Sequence, residues 1–94
     1  MMKKYQRVLK FLFDNRNIEG GWFRASEIAK ALNRPKISVR CNLNFFYATR
    51  KVDRKRDKNR WLWRINYQGI NYLYVKGLIT KEEKERAIED LQLI

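Results

Sequence analysis

Histidine is absent from these 94 residues, and Cys41 and Pro35 are the only cysteine and proline. A lone cysteine cannot form an intramolecular disulfide, and without histidine no zinc site of the usual Cys/His kind can be assembled. Imidazole acid–base chemistry is excluded with it. Glycine is scarce, at four residues, and none sits in a phosphate-cradling loop. No paired-carboxylate region lies outside the solvated stretch 82–90, and no cluster of metal ligands is present. These absences argue against an enzyme and leave no expected cofactor or metal. Long apolar runs are missing too: nothing approaches the roughly 18 residues needed to span a bilayer. Met1 to Asp14 is interrupted by Lys10 and offers no small-residue cleavage site, so it does not read as a secretory signal.

What the chain does have is positive charge. Lysine and arginine number 22 against ten acids, for a net charge of +12. Hydrophobic residues make up 45 % of the chain, so this is a globular composition, of a length for one modest core. The cations are unevenly spread. Residues 50–64 hold eight (Arg50, Lys51, Arg54, Lys55, Arg56, Lys58, Arg60, Arg64) against Asp53 and Asp57, whereas 65–94 hold four against five acids. A field of this strength attracts polyanions, and it is confined to the first two thirds of the chain.

Tyr5, Val8, Leu9 and Leu12 follow the i, i+3, i+4, i+7 rule and predict a helix over 3–14, with Phe11 and Phe13 widening its apolar face. Asp14 to Asn17 ends it, Gly20-Gly21 breaks the chain, and Trp22-Phe23 suits a brief strand. A second helix is expected over 25–32 with Ile28, Ala29 and Leu32 inward, capped either by Ser26 or by Arg24 with Glu27 at N3. Asn33 suits a left-handed helix end and Pro35 the first position of a third helix, 35–48. That three-residue spacing is a helix-turn-helix. Val39, Leu43 and Phe46 form the third helix's inner face. Opposite lie Ile37, Arg40, Cys41, Asn44 and Ala48, with Lys36 and Tyr47 at the edge, and no acid among them.

An antiparallel hairpin follows, with arms 52–56 and 60–65 and a turn at Asp57-Lys58-Asn59. Trp61, Trp63 and Ile65 alternate with Leu62 and Arg64, which reads as a buried row of indoles, with stacking on nucleobases as the alternative. Asn66 can cap a helix over 67–76 that ends at Gly77-Leu78. Thr80 to Glu83 reads as a capping box opening a last helix, 81–92. The expected fold is mainly α with a small β wing (α+β): a winged helix-turn-helix over 1–66, followed by C-terminal helices over 67–94.

Ala25-Ser-Glu-Ile-Ala-Lys-Ala-Leu-Asn33 resembles the helix-2 signature of winged-helix regulators of the MarR and PadR kind, with Arg24 where a Ser/Thr cap is usual. Arg60, followed by Trp63-Arg64-Ile65-Asn66-Tyr67-Gln68-Gly69, is similar to their second wing strand running into a Leu-Thr-x-x-Gly helix start. Ile65, Asn66 and Gly69 stand in for its Leu, Thr and Gly. The similarity covers about residues 4–76. Pro35-Lys36 and Leu62 to Ile65 also resemble winged domains that bind Z-form nucleic acid. The recognition-helix Asn and Tyr of those domains, however, would fall at Arg40 and Asn44, and the wing prolines are missing.

The expected partner is double-stranded DNA. A helix fits the major groove, where arginine pairs with guanine and asparagine with adenine, so Arg40 and Asn44 are assigned to base edges. Lys36 and Ser38, near the helix start, suit a phosphate, and Tyr47 lies at the edge of that face. Arg54, Lys55, Arg56, Lys58 and Arg60 are expected as wing contacts to phosphates or the minor groove. Ile37 and Cys41 could touch a thymine methyl or be simply tolerated there. The apolar tail (Tyr72, Leu73, Val75, Leu78, Ile79, Ile88, Leu91, Leu93, Ile94) favours a homodimer on a pseudo-palindrome. A sequence-specific transcriptional regulator, cytoplasmic and DNA-associated, is the first expectation. A nonspecific or architectural DNA binder and a protein-interaction module are the rivals.

Overall fold

The computed structural model describes residues 2–92. Helix α1 (Lys4–Asp14) buries Val8, Leu9, Leu12 and Phe13 completely or nearly so, as their spacing requires. Asn15 ends it twice over: both its backbone N–H (3.1 Å) and its side-chain amide (2.8 Å) donate to the Phe11 carbonyl. A single 3₁₀ turn, Glu19–Gly21, leads to strand β1 (Phe23–Arg24). The strand begins one residue later than expected, because the ladder pairs Phe23 with Trp63 and Arg24 with Leu62.

Helix α2 (Ala25–Leu32) resolves the choice of cap. Arg24 is the N-cap, and its backbone N–H donates to Glu27 Oε1 at 2.8 Å. Asn33 takes the left-handed conformation (φ 53°), which lets the Arg34 N–H reach back to the Ala29 carbonyl at 3.0 Å. Helix α3 (Lys36–Ala48) starts one residue after Pro35, not on it. At ψ 137° the proline is extended, and its carbonyl accepts from the Ser38 and Val39 N–H groups. The α2–α3 connection is thus three residues long.

Strands β2 (Val52–Asp57) and β3 (Arg60–Ile65) pair antiparallel from Val52–Ile65 to Asp57–Arg60. Asp57 therefore belongs to the ladder. The turn is only Lys58-Asn59, both with positive φ (52° and 69°), the sign a type I′ hairpin demands. With β1 on its other edge, β3 is the central strand, in the order β1-β3-β2. Val52, Trp63 and Ile65 enter the core, but Trp61 does not. It stays 39 % exposed, because it lies in the outer part of the hairpin, where burial of the strand residues fades toward the tip. The period-2 rule assigned the face correctly and missed the edge of the core.

Asn66 caps α4 (Tyr67–Val75) by accepting the Gly69 N–H at 3.0 Å. Gly77, at φ 73°, closes the helix, with the Leu78 N–H on the Leu73 carbonyl. In the capping box of α5 (Lys81–Gln92), Glu83 N–H donates to Thr80 Oγ1 (3.1 Å) and Thr80 N–H to Glu83 Oε1 (2.8 Å). The two helices return to α1. Ile70, Leu73, Ile79 and Ala87 join its core cluster, and Arg16 Nε lies 3.1 Å from Asp90 Oδ2. Much of the apolar tail is therefore used within the chain: Leu73 and Ile79 are buried, and Tyr72, Leu78 and Leu91 pack on the core. Ile88 is half-buried and Val75 is 70 % exposed. Leu93 and Ile94 lie outside the described residues.

Candidate nucleic-acid interface

Val39, Leu43 and Phe46 anchor α3 with no exposure at all, which fixes its rotation about its own axis. At about 100° per residue, Lys36, Arg40, Asn44 and Tyr47 then lie along the flank facing the hairpin. Between that flank and the inner face of β2–β3 is a concavity of about 500 Å3. Lys36, Arg40 and Asn44 line it from the helix and Arg54 and Arg60 from the hairpin. Five of the ten expected site residues thus share one groove. Among the described residues, none of the five makes an ion pair or a side-chain hydrogen bond.

Arg54 is the most constrained of these. Its guanidinium sits 4.0 Å from the ring centroid of Tyr47, 4.4 Å from Trp61 and 5.7 Å from Trp63. Three aromatic rings surround the cation, and among the described residues its N–H donors make no hydrogen bond. Tyr47 therefore serves as one wall of this cage, a role its place on the helix did not disclose. Trp61 is a second wall and is also approached by Arg56 at 5.3 Å.

The remaining expected residues are placed elsewhere. Lys55 alternates onto the outer face of the hairpin, where it lies 4.5 Å from the Trp22 ring, with Arg64 at 4.4 Å from the same ring. Lys58 occupies the tip. Ser38 is half-buried on the flank of α3 away from the hairpin, roughly 200° around from Lys36, and is not part of the groove lining. Sequence reasoning also missed contributors: Arg24 and Ser26 at the start of α2, Asn59 in the turn, and Trp61. Their signal was present only as a cap, a turn residue and a strand position. Bringing them to the groove required the packing of α2 and β1 against β3.

The order of helices and strands, the three-residue turn between α2 and α3, and the overhanging hairpin can be set beside solved structures. The multidrug-efflux regulator MepR of Staphylococcus aureus superposes with a TM-score of 0.65 at 18 % identity, over 98 % of this chain and 76 % of that one.

The fold is a winged helix-turn-helix.

The zinc-responsive MarR family member ZitR of Lactococcus lactis shares it at a TM-score of 0.59 and 16 % identity, over 99 % of this chain and 74 % of that one. MepR in complex with DNA matches at 0.65 and 18 % identity, over 98 % and 75 %. No family model matches the sequence, and no curated protein does. The likeness is thus carried by the winged-helix architecture, in which α3 is the second helix of the helix-turn-helix and β2–β3 is the wing. Among the described residues no group of three or more potential metal ligands lies together, and no helix is long and apolar enough to cross a membrane.

Proposed function

We propose that this winged-helix protein is a non-enzymatic, sequence-specific transcriptional regulator that binds double-stranded DNA. The observation that carries the reading is the groove between α3 and the wing, where Lys36, Arg40, Arg54 and Arg60 converge without an acidic partner among the described residues. Four cations facing one another repel, and a phosphate backbone relieves that repulsion while releasing its own counterions. In this reading α3 enters the major groove, with Arg40 and Asn44 at base edges, and the wing follows the flanking backbone with Arg54, Arg56, Lys58 and Arg60. Lys36 meets a phosphate at the helix start. Lys55 and Ser38 are peripheral, since they face away from the groove. Support also comes from MepR, a transcription regulator that has been solved bound to DNA.

The test is the salt dependence of duplex binding. Affinity should fall on a log–log plot with a slope of about −0.9 per neutralised phosphate. Arg54→Ala/Arg56→Ala/Lys58→Ala should weaken binding to every sequence and flatten that slope by about 0.9 for each phosphate no longer neutralised. A triple variant that matches the wild type at every salt concentration removes the wing from the interface. Selection from random duplexes separates a regulator, which enriches a motif, from a coating protein, which enriches none.

A further inference from the structure

Resting on that reading of α3 as the recognition helix, the crest of the helix has its own chemistry. The cations occupy the flank toward the wing, whereas the line pointing straight away from the core is uncharged. It consists of Ile37, Cys41 and Ala48, all exposed, and Ile37 is 71 % exposed, more than any other large hydrophobic side chain among the described residues. Ile37 and Cys41 are one turn apart, so together they form a short apolar ridge at the N-terminal end of the helix, with Arg40 beside it. Leaving isoleucine in water forgoes its transfer free energy, and no neighbouring element covers this one.

In a major groove the crest of a helix goes deepest and meets base edges, not phosphates. The apolar group that an unmodified duplex offers there is the C5-methyl of thymine. We propose that Ile37, with Cys41 behind it, is a specificity-determining contact for pyrimidine C5-methyl groups, and that thymine is the source. The ridge supplies no strong hydrogen-bond acceptor, only the weak thiol of Cys41, so it gains little from cytosine's exocyclic amine and buries that donor poorly paired. Arg40, one turn on, sets the neighbouring position toward guanine, which fits a site of mixed composition with thymine at a defined step.

The experiment uses the whole chain under reducing conditions and two 24-base-pair duplexes of one A·T-only sequence, one containing thymine and one containing uracil throughout. Burying one methyl corresponds to about a fourfold change in affinity, so the thymine duplex should bind at least that much more tightly. Ile37→Ala should close the gap mainly by weakening the thymine complex. Any effect of uracil on duplex shape would persist in the variant and is thereby subtracted. Equal wild-type binding to the two duplexes, or a gap no smaller in Ile37→Ala than in the wild type, overturns the proposal. A G·C duplex with cytosine or 5-methylcytosine forms the second arm. A preference for 5-methylcytosine without one for thymine transfers the methyl to a modified base and overturns thymine as the source. If no duplex binds at any salt concentration, the proposed function fails before this question arises.

Discussion

Arg54 shows how much a residue's surroundings add to its charge. A lysine there would keep the charge but would replace the planar, delocalised guanidinium among Tyr47, Trp61 and Trp63 with a compact ammonium. Arg54→Lys should therefore lower duplex affinity about fivefold, the scale of one cation–π contact, while leaving the slope of the salt plot unchanged. A variant that binds like the wild type would show that the cage does not position the fork. The sequence displayed Arg54 as one of eight similar cations, and only side-chain packing singled it out. Tyr47 and Trp61 illustrate the same point. Both could be placed on a face from periodicity, but the partner across the groove could not, because that partner lies on a different element.

At the scale of elements, the joint between wing and body is set by Gly69. A Cβ on this residue would run into the Lys51 carbonyl oxygen and lie 2.7 Å from Ile65 Cγ1, so α4 could not seat against the strands that carry the wing. Gly69→Ala should cost roughly 1–3 kcal/mol of stability, the range for forcing atoms into a filled site, measured by chemical denaturation. An unchanged midpoint would show that the backbone gives way there. The capping box of α5 makes a prediction in pH. Hydrogen bonding by the Thr80 backbone N–H holds the Glu83 carboxyl below its ordinary value. Because the folded value is the lower one, the contribution is fully present above the unfolded value, about 4.3, and is lost as pH falls through the folded value. Glu83→Gln should narrow the gap in stability between pH 7 and pH 3 relative to the wild type, and an identical pH profile would remove the box from that balance. The caps themselves were legible in the sequence, since Asn66, Gly77 and the Thr80–Glu83 pair act within four residues of one another. Arg24 as a cap was legible only as one of two choices.

On the scale of the whole molecule, the protein measures 35 × 31 × 23 Å, so in the proposed complex one protomer would cover about one turn of duplex, whose pitch is roughly 34 Å. We propose a homodimer through the C-terminal helices, in which each copy takes one half-site. The apolar residues left over for it among the described ones lie on α4, where Tyr67, Tyr74 and Val75 are exposed, more than on α5, which spends Ala87 and Leu91 on the core. Light scattering should give twice the chain mass, and Val75→Asp should shift it toward one chain without unfolding the protein. A wild type that stays monomeric at every concentration would confine recognition to a single half-site.

Local chemistry alone determined the helices, their caps apart from Arg24, the short α2–α3 turn, the wing and its surplus of cations, because each is written in residues no more than a few positions apart. The end of the buried row at Trp63, the aromatic cage around Arg54, the arrival of Arg24 and Ser26 at the groove and the folding of α4–α5 onto α1 were decided by tertiary structure. Each depends on where one element stops covering another, a distance in space that no periodicity along the chain records.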